Sequence, residues 1–258
     1  MNWRSQKLGF RLDDFIEKNW LLRSLLSVSV SAFVIGVVAP SSASAQQTLN
    51  FFVGGFVPRS LEARGPDDVL VRDFYLSRNP SGFLIFDIKD FRGFTGGAEY
   101  LVGLGDFFDA GLGIGLYSRT SPAIDADFTR PGGGEVEADL KLRVVPVTAT
   151  FRYLPLGHHD AIEPYVGGGV GIYNWRYTET GDFVTTSQGI IRGTFEGSDT
   201  TVGPVILGGV RVPAGKARIG GEIRWHGGQG PLPANQSFAG SKIDLGGFNY
   251  LFTVGVRF

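Results

Sequence analysis

The last eleven residues, 248–258, constrain the fold most, because large apolar side chains occupy every even position up to Phe258. Odd positions hold mostly small or polar residues, among them Thr253 and Gly255. Side chains of a β-strand alternate between two faces, so this segment predicts a strand with one continuous apolar face. A strand of a soluble antiparallel sheet also has one apolar face, and the rest of the chain must separate the two cases.

The composition excludes several classes of protein. The chain has 258 residues, a formal net charge of −1 and no cysteine. Disulfides and thiolate metal sites are therefore excluded, and no Lys/Arg cluster or zinc-finger spacing points to nucleic acid. The 39 glycines follow neither the collagen period nor a linker pattern. The length suits one sizeable all-β domain or two small domains.

The first 45 residues have the order of a secretory signal peptide. Residues 1–23 contain several basic side chains, residues 24–39 are largely apolar, and small residues follow up to Ala43-Ser44-Ala45. This order predicts export with cleavage after Ala45, at a site formed by Ala43 and Ala45. An uncleaved anchor helix is the alternative, but the apolar stretch contains serines and is short for a span of about 20 residues. We expect residues 46–258 to form the folded domain.

Eight strand candidates follow, joined by three short turns and four long loops in strict alternation. An even number of antiparallel strands with this alternation is typical of an outer-membrane barrel, whose short turns face the periplasm. Residues 121–138 and 178–199 are expected to be long loops, the first of them irregular. The expected strands are 48–59, 93–102, 107–120, 139–153, 162–177, 200–212, 218–226 and the closing segment.

Charged residues within these strands share one phase, opposite the apolar stripe. A mid-strand Arg or Lys facing lipid would cost about 2–4 kcal/mol, so a membrane barrel turns such residues inward. A soluble lipocalin-like barrel would turn them outward, but the export signal and the glycines on the charged phase favour the membrane barrel. Aromatic residues near strand ends also favour it, as interface girdles. The expected interior charges are Glu99, Asp109, Asp139, Lys141, Arg143, Arg152, Glu163, Arg211, Glu222, Arg224 and Arg257, and the expected girdle residues are Tyr100, Phe108, Tyr153, Trp175, Tyr177, Trp225 and Phe258.

The alternation within residues 139–153 slips by one residue at Pro146. Even positions such as Leu142 and Val144 are apolar before it, and odd positions such as Val147 and Phe151 are apolar after it. A one-residue slip beside a proline is typical of a β-bulge, and we expect one here.

With these features the chain resembles the eight-stranded outer-membrane barrels of the OmpW, OmpA and OmpX group. The resemblance rests on Ala43-Ser44-Ala45, on Glu99-Tyr100 in the second strand, and above all on alternating C-terminal residues: Tyr250, Phe252, Val254, Val256 and Phe258. This last set is similar to the signal that barrel assembly machinery recognises. The resemblance implies an all-β, eight-stranded antiparallel transmembrane up-and-down barrel with short periplasmic turns and long extracellular loops. It also implies a bacterial outer membrane with its lipids and lipopolysaccharide, but no particular solute.

The glycine run and two histidines offer little chemistry. Gly167-Gly168-Gly169-Val170-Gly171 lacks nucleotide-binding spacing and lies within a strand, so we expect close interior packing there. His158 and His159 are expected in a periplasmic turn, away from the interior. We therefore expect no metal and no cofactor.

His226 is the stronger candidate for a catalytic base, because it ends the seventh strand near the outer rim. A catalytic base needs a nucleophile beside it and a carboxylate that orients it. Ser237, Ser241 and Asp244 are near enough in sequence, but no spacing motif supports a triad. We expect no catalytic residue.

The inward charges allow two interpretations. Opposite charges, such as Glu99 and Asp109 with Arg143 and Arg257, could form a neutral plug, or they could line a narrow selective pore. The plug is favoured because unpaired charges are costly in a narrow interior and eight strands leave little lumen.

The first long loop, residues 60–91, contains apolar segments at 69–71, 74–76 and 83–86. We expect strands one and two to extend beyond the membrane and pack this loop over the barrel mouth. A functional interpretation is a site for a hydrophobic small molecule or a surface partner. The expected function is therefore non-catalytic binding or passive entry of small hydrophobic compounds. A plugged structural barrel that contacts surface partners and a lipid-modifying enzyme are the alternatives.

Overall fold

The computed structural model describes residues 46–76, 84–158, 160–185 and 189–258. The expected signal peptide, with Ala43 and Ala45, lies outside these residues, as does His159. No helix in the described residues is long and apolar enough to cross a membrane.

Eight antiparallel strands close into a barrel, which confirms the predicted fold. The wall consists of β1 (Gln47–Pro58), β3 (Gly93–Gly103), β4 (Phe108–Thr129), β5 (Glu135–Tyr153), β6 (Glu163–Thr185), β7 (Gly189–Ala214), β8 (Ala217–His226) and β11 (Gly247–Arg257). Three further strands are short: β2 (Leu84–Ile85), β9 (Gln229–Pro231) and β10 (Lys242–Asp244). The first and last strands of the wall pair in register from Thr48–Arg257 to Pro58–Gly247, which closes the ring.

Two of the four connections expected to be long loops are instead β-hairpins. β4 and β5 remain paired beyond the other strands and meet at a tight turn, where Gly132 and Gly133 have φ values of 111° and 90°. Glycine adopts such positive φ values without a steric penalty. β6 and β7 also pair to their ends. The expectation of loops at 121–138 and 178–199 was wrong. The backbone N–H and C=O groups in the described parts of both segments form hydrogen bonds across a hairpin.

The outer wall carries a belt of large apolar side chains, with members from all eight strands. On β11, Tyr250, Phe252 and Val256 point outward and are each about half exposed, whereas Leu251 and Thr253 face inward and are buried. A belt of this size is unfavourable in water and is what the hydrocarbon of a bilayer requires. The belt therefore marks the membrane-spanning part of the wall, with Phe258 at its periplasmic edge.

The polarity of the two faces reverses along β5. Its even-numbered residues face inward throughout, but their chemistry changes at Pro146. On the periplasmic side the inward residues are polar: Thr148, Thr150 and Arg152. On the extracellular side they are apolar: Leu140, Leu142 and Val144. The barrel is thus polar inside and apolar outside within the membrane, and the opposite beyond it.

This reversal explains the slip at Pro146 without a β-bulge. The pairing of β5 with β6 continues in one register from Val144 to Val147, so the expected bulge is wrong. The change in sequence reflects a change of surroundings rather than an extra residue. The register shift of β4 lies between Ile124 and Thr129, in the extracellular hairpin.

Several charges and aromatics therefore lie on the opposite face from the one expected. Asp139, Lys141 and Arg143 are exposed on the outer wall rather than buried in the barrel. Beyond the belt this wall meets water, where charges are stable and apolar side chains turn inward. For the same reason Trp175 and Tyr177 are buried inside and are not girdle residues.

The described residues 60–76 and 84–91, here called the lid, cover the extracellular end. The lid contains a helical turn at Val69–Val71, a π turn at Arg72–Leu76 and a 3-10 turn at Ile88–Phe91. Leu70, Phe86 and Phe91 pack into one apolar cluster with the inward residues of β5 and β6. The lid packs over the mouth as expected, but β1 and β3 do not extend to hold it. The long strands are β4 to β7.

Candidate functional site

Two layers of ion pairs fill the membrane part of the barrel. The central layer joins Glu99 and Glu222 to Arg152 and Arg224, from the three strands β3, β5 and β8. Arg152 Nη2 lies 2.5 Å from Glu99 Oε2 and 2.9 Å from Glu222 Oε2. Arg224 Nη2 lies 2.7 Å from Glu222 Oε1. Because these side chains are buried, each charge depends on its partners for stability.

The second layer lies nearer the periplasm. Arg211 contacts Glu163 at 2.6 Å and Asp109 at 2.7 Å, and Arg218 contacts Glu163 at 3.2 Å. The ring of Tyr165 lies between the layers, 4.9 Å from the guanidinium carbon of Arg152 and 5.5 Å from that of Arg211. Cation–π contact and the Tyr165 hydroxyl, which donates to Glu222 at 3.0 Å, connect the two layers.

His158 closes the periplasmic end of this network. The sequence placed it in a turn away from the interior, but it is buried, with Nε2 3.1 Å from Asp109 Oδ1. That expectation was wrong because the turn folds back under the barrel opening. Local sequence offers no signal for this contact, since Asp109 and His158 belong to different hairpins.

The layers balance four carboxylates with four arginines and leave little free volume. The cavity between them measures about 10 Å³, about the volume needed for one water. The charges therefore form a plug, rather than the lining of an open pore, in the described barrel. The expected partners were wrong, because Glu99 pairs with Arg152 and Arg224, and Asp109 pairs with Arg211, rather than with Arg143 and Arg257.

Arg257 and Arg218 illustrate how the interior set differs from expectation. Arg257 is partly exposed near the periplasmic rim, whereas Arg218, absent from the expected set, is buried. Arg218 occupies the same phase of β8 as Glu222 and Arg224, so the alternation contained the necessary signal.

An apolar chamber lies above the plug. It is formed by inward aromatic residues and contains a cavity of about 40 Å³, too small for more than a few waters. Its walls include Tyr117, Tyr173, Val144 and Val205. Ile114, whose side chain faces outward, also borders this cavity.

The cavity reaches the wall at a break in the β4–β5 ladder. Pairs are formed at Ile114–Val147 and at Tyr117–Val144, but not at Gly115 and Leu116 between them. Pro146, opposite Gly115, has no N–H to donate, and glycine leaves space beside it. This stretch, Gly115 and Leu116 of β4 opposite Val145 and Pro146 of β5, is here called the seam, and it lacks ladder pairs between these two strands.

His226 lies in this chamber but does not form the conceivable triad. Its Nε2 lies 3.0 Å from the Leu245 carbonyl oxygen and its Nδ1 lies 3.0 Å from the Asn249 side-chain nitrogen. Its ring stacks between Phe56 and Tyr173. Both ring nitrogens thus contact groups other than a serine or a carboxylate.

Asp244, the carboxylate of that triad, instead fixes the lid. Its Oδ2 lies 3.0 Å from Arg59 Nη1, and its backbone N–H donates to Asp68 at 2.5 Å. Arg64 contacts Asp68 at 3.3 Å and donates to the Asp244 carbonyl at 3.1 Å. These contacts join the lid to the segment that contains β10.

A second pair of acidic groups, one in the lid and one on the barrel, is not balanced by a cation in the described residues. Asp73 in the lid and Glu179 on β6 are both buried, and within the described residues neither forms an ion pair. Both lie beyond the apolar belt. Burial raises the pKa of Glu179 to about 7. Burial, together with the Glu179 carboxylate, raises the pKa of Asp73 well above its ordinary range.

The glycine run of β6 serves close packing. A Cβ on Gly169 would collide with the backbone of Ala149, and one on Gly171 would collide with the ring of Tyr173. Within the described residues no cluster of three or more His, Asp or Glu side chains could hold a metal.

The chain matches no protein-family model and no curated protein. Its architecture is nevertheless decided by the closed ring of strands, the charged interior and the apolar belt. The chain has the fold of an outer-membrane β-barrel.

Three solved structures with this fold show the extent of the likeness. Neisserial surface protein A is 11% identical with a TM-score of 0.44, covering 84% of this chain and 100% of that one. The outer membrane protein AlkL in DMPC bilayers is 13% identical with a TM-score of 0.42, covering 85% and 95%. Outer Membrane Protein W of E. coli is 13% identical with a TM-score of 0.37, covering 84% and 100%. Likeness at this level assigns no ligand or activity.

Proposed function

We propose that this barrel, inserted in a bacterial outer membrane, binds small apolar compounds in the chamber above the plug and admits them sideways into the bilayer. The observation that carries the proposal is the position of the cavity. The ion-pair plug closes the axial route below it, whereas the cavity borders the stretch at Gly115 and Pro146 where β4 and β5 lack ladder pairs. The chamber walls suit a hydrophobic ligand, and the proposal includes no catalytic step.

The described chamber is a closed state. A cavity of about 40 Å³ is far below the ~300 Å³ of a typical ligand pocket. Entry therefore requires movement of the lid, whose Leu70, Phe86 and Phe91 belong to the same apolar cluster as the chamber walls. The buried Asp73 and Glu179 carboxylates make this contact weaker than the apolar packing alone would.

Gly115→Leu tests the route, because the added side chain would enter the space beside Pro146, where even a Cβ lies 3.1 Å from Cγ. We expect several-fold slower uptake of an apolar fluorescent probe into proteoliposomes. Gly55→Leu is the matched control, since a Cβ there meets no atom within 4 Å. Equal uptake by the wild type and both variants, with equal insertion, would contradict the proposed route.

The plug also favours a second function, a structural barrel whose extracellular hairpins contact surface partners. In that case the wild type would admit no apolar probe above the level of protein-free vesicles. His226→Ala separates both functions from a lipid-modifying enzyme, because only the enzyme would require an intact His226 to alter lipid profiles.

A further inference from the structure

The outer wall above the belt carries a group of cationic side chains, of which Arg143 and Lys141 were expected inside the barrel. Arg143 on β5 and Arg176 on β6 are direct register partners, flanked by Ser118 on β4 and Ser198 on β7. Lys141 lies in the next row outward, opposite Thr178. The two arginines thus stand side by side on an exposed face.

Like charges directly opposite each other on neighbouring strands are destabilising. Within the described residues, no carboxylate forms an ion pair with Arg143 or Lys141, and Arg176 forms one with Glu196, whose Oε1 lies 3.4 Å from Nε. The contact with Glu196 leaves the terminal nitrogens of Arg176 free to meet another acceptor. The row therefore keeps a positive charge that an anion would stabilise.

The register places this row at the lipid headgroups. The last fully apolar row contains Ile114, Val147, Ile172 and Val202, and the next row, with Leu116, Val145, Asn174 and Thr200, is mixed. One row is two residues, or about 6.6 Å along a strand and about 5 Å along the membrane normal at the usual tilt. The arginines stand one row beyond the mixed row, inside a headgroup layer that is about 5–8 Å thick.

The two arginines also border a concave site rather than a flat wall. A cleft of about 230 Å³ lies between them, and Asn174, Ser198 and Thr200 also line it. Asp199 also lines the cleft, and its carboxylate accepts the Thr200 N–H at 2.7 Å. Guanidinium groups bind phosphate oxygens with parallel hydrogen bonds, and the hydroxyl and amide side chains add neutral donors.

We propose that Arg143 and Arg176 form a binding site for a phosphate of an anionic lipid in the outer leaflet. The site lies on the outer wall, apart from the chamber and the plug, so it does not depend on the proposed transport function. Lipid phosphate bound here would neutralise the paired arginines and fix the height of β5 and β6 in the membrane.

The test is a titration of the folded mature protein, in detergent, with a bisphosphorylated lipid A and with the same lipid after removal of its phosphates. We expect Arg143→Ser/Arg176→Ser to bind the phosphorylated lipid about tenfold more weakly than the wild type does, with no difference for the dephosphorylated lipid. Arg130→Ser/Arg192→Ser removes the same charge from exposed positions on the extracellular hairpins and should bind like the wild type.

Two further measurements, a charge-retaining variant and a competition with inorganic phosphate, complete the test. Arg143→Lys/Arg176→Lys retains the charge and should recover part of the affinity, even if the serine variant folds poorly. Millimolar inorganic phosphate should not displace the lipid, because the site sits at the membrane surface and binds phosphate as part of a headgroup. Equal affinity of the wild type for both lipids, equal losses in both serine variants, or full displacement by free phosphate would each overturn the proposal.

Discussion

The membrane half and the extracellular half of the barrel bury opposite chemistry on the same strands. In the membrane, β6 turns Glu163 and Tyr165 inward and Val170 outward; beyond it, the same strand turns Trp175 inward and Arg176 outward. Lipid outside makes an apolar wall favourable and forces polar groups inward, where they must pair. Water outside restores the ordinary arrangement of a soluble protein. The position of each residue relative to the bilayer, rather than its strand, decides which face suits it.

The largest expected effect comes from breaking the buried layer in the membrane half. Arg152→Ala leaves Glu99 and Glu222 with one fewer cation, which should lower the free energy of unfolding by about 3–5 kcal/mol. Arg143→Ala, on the outer face of the same strand beyond the belt, should change it by less than about 0.5 kcal/mol. Urea unfolding in lipid vesicles measures both, and similar losses would contradict the difference between the two halves.

The next largest effect is expected from adding a charge to the outer wall, which should cost more stability in the membrane half than in the extracellular half. Val170→Arg places a cation on the lipid-facing wall and should destabilise the barrel by about 2–4 kcal/mol. Asn174→Arg makes the same addition on the same face of β6 beyond the belt, with a change of about 0–1 kcal/mol. Unfolding in the same vesicles provides the comparison. A large loss for Asn174→Arg would mean that the membrane extends farther along β6 than the belt indicates.

The extracellular half should be the part that responds to pH. The folded pKa of Glu179, about 7, exceeds its ordinary value of 4.5, so the folded state binds more protons than the unfolded state between these values. Stability is therefore lost as the pH rises from about 4.5 through 7, by on the order of 3 kcal/mol at most. The pKa of Asp73 is also raised in the folded state, so ionisation of Asp73 lowers the stability further as the pH rises. The lid should be most firmly held at acid pH.

Hydrogen exchange of the lid amides at Val69–Val71 measures this effect as protection relative to unstructured peptide. We expect protection to fall by up to about two orders of magnitude from pH 5 to pH 9 in the wild type. Glu179→Gln should remove most of that fall, whereas amides of β11 should stay protected throughout. A lid whose protection is independent of pH would show that the two carboxylates do not govern its docking.

Only a small effect on stability is expected at the end of the chain. Phe258 is 68% exposed, and its ring centroid lies 6.4 Å from that of Tyr100. Phe258→Ala should change the free energy of unfolding by less than about 1 kcal/mol. If Tyr250, Phe252, Val254, Val256 and Phe258 are read by the assembly machinery, the variant should instead lower insertion in cells several-fold. If the variant inserted normally but lost much of its stability, Phe258 would serve stability rather than assembly.

Interior residues could be predicted where the alternation within a single strand identifies them. Glu99, Asp109, Arg152, Glu163, Arg211, Glu222 and Arg224 lie inside, because alternation with apolar neighbours is a property of one strand. Lys141 and Arg143 alternate just as clearly with apolar residues, yet they lie outside. Their apolar neighbours pack inside the extracellular half of the barrel instead of facing lipid. His158 and Glu179 depend on contacts between distant segments, which alternation does not encode.

The sequence by itself determined an eight-stranded barrel and the outward stripe of its closing strand, since period-two alternation and connection lengths are local properties. The tertiary structure alone decided where the membrane ends along each strand. That boundary is set jointly by all eight strands, and it assigns Leu142 to the interior and Arg143 to the surface. It also decided that the interior charges close the axis, because only the assembled wall brings Arg152 within reach of Glu99 and Glu222.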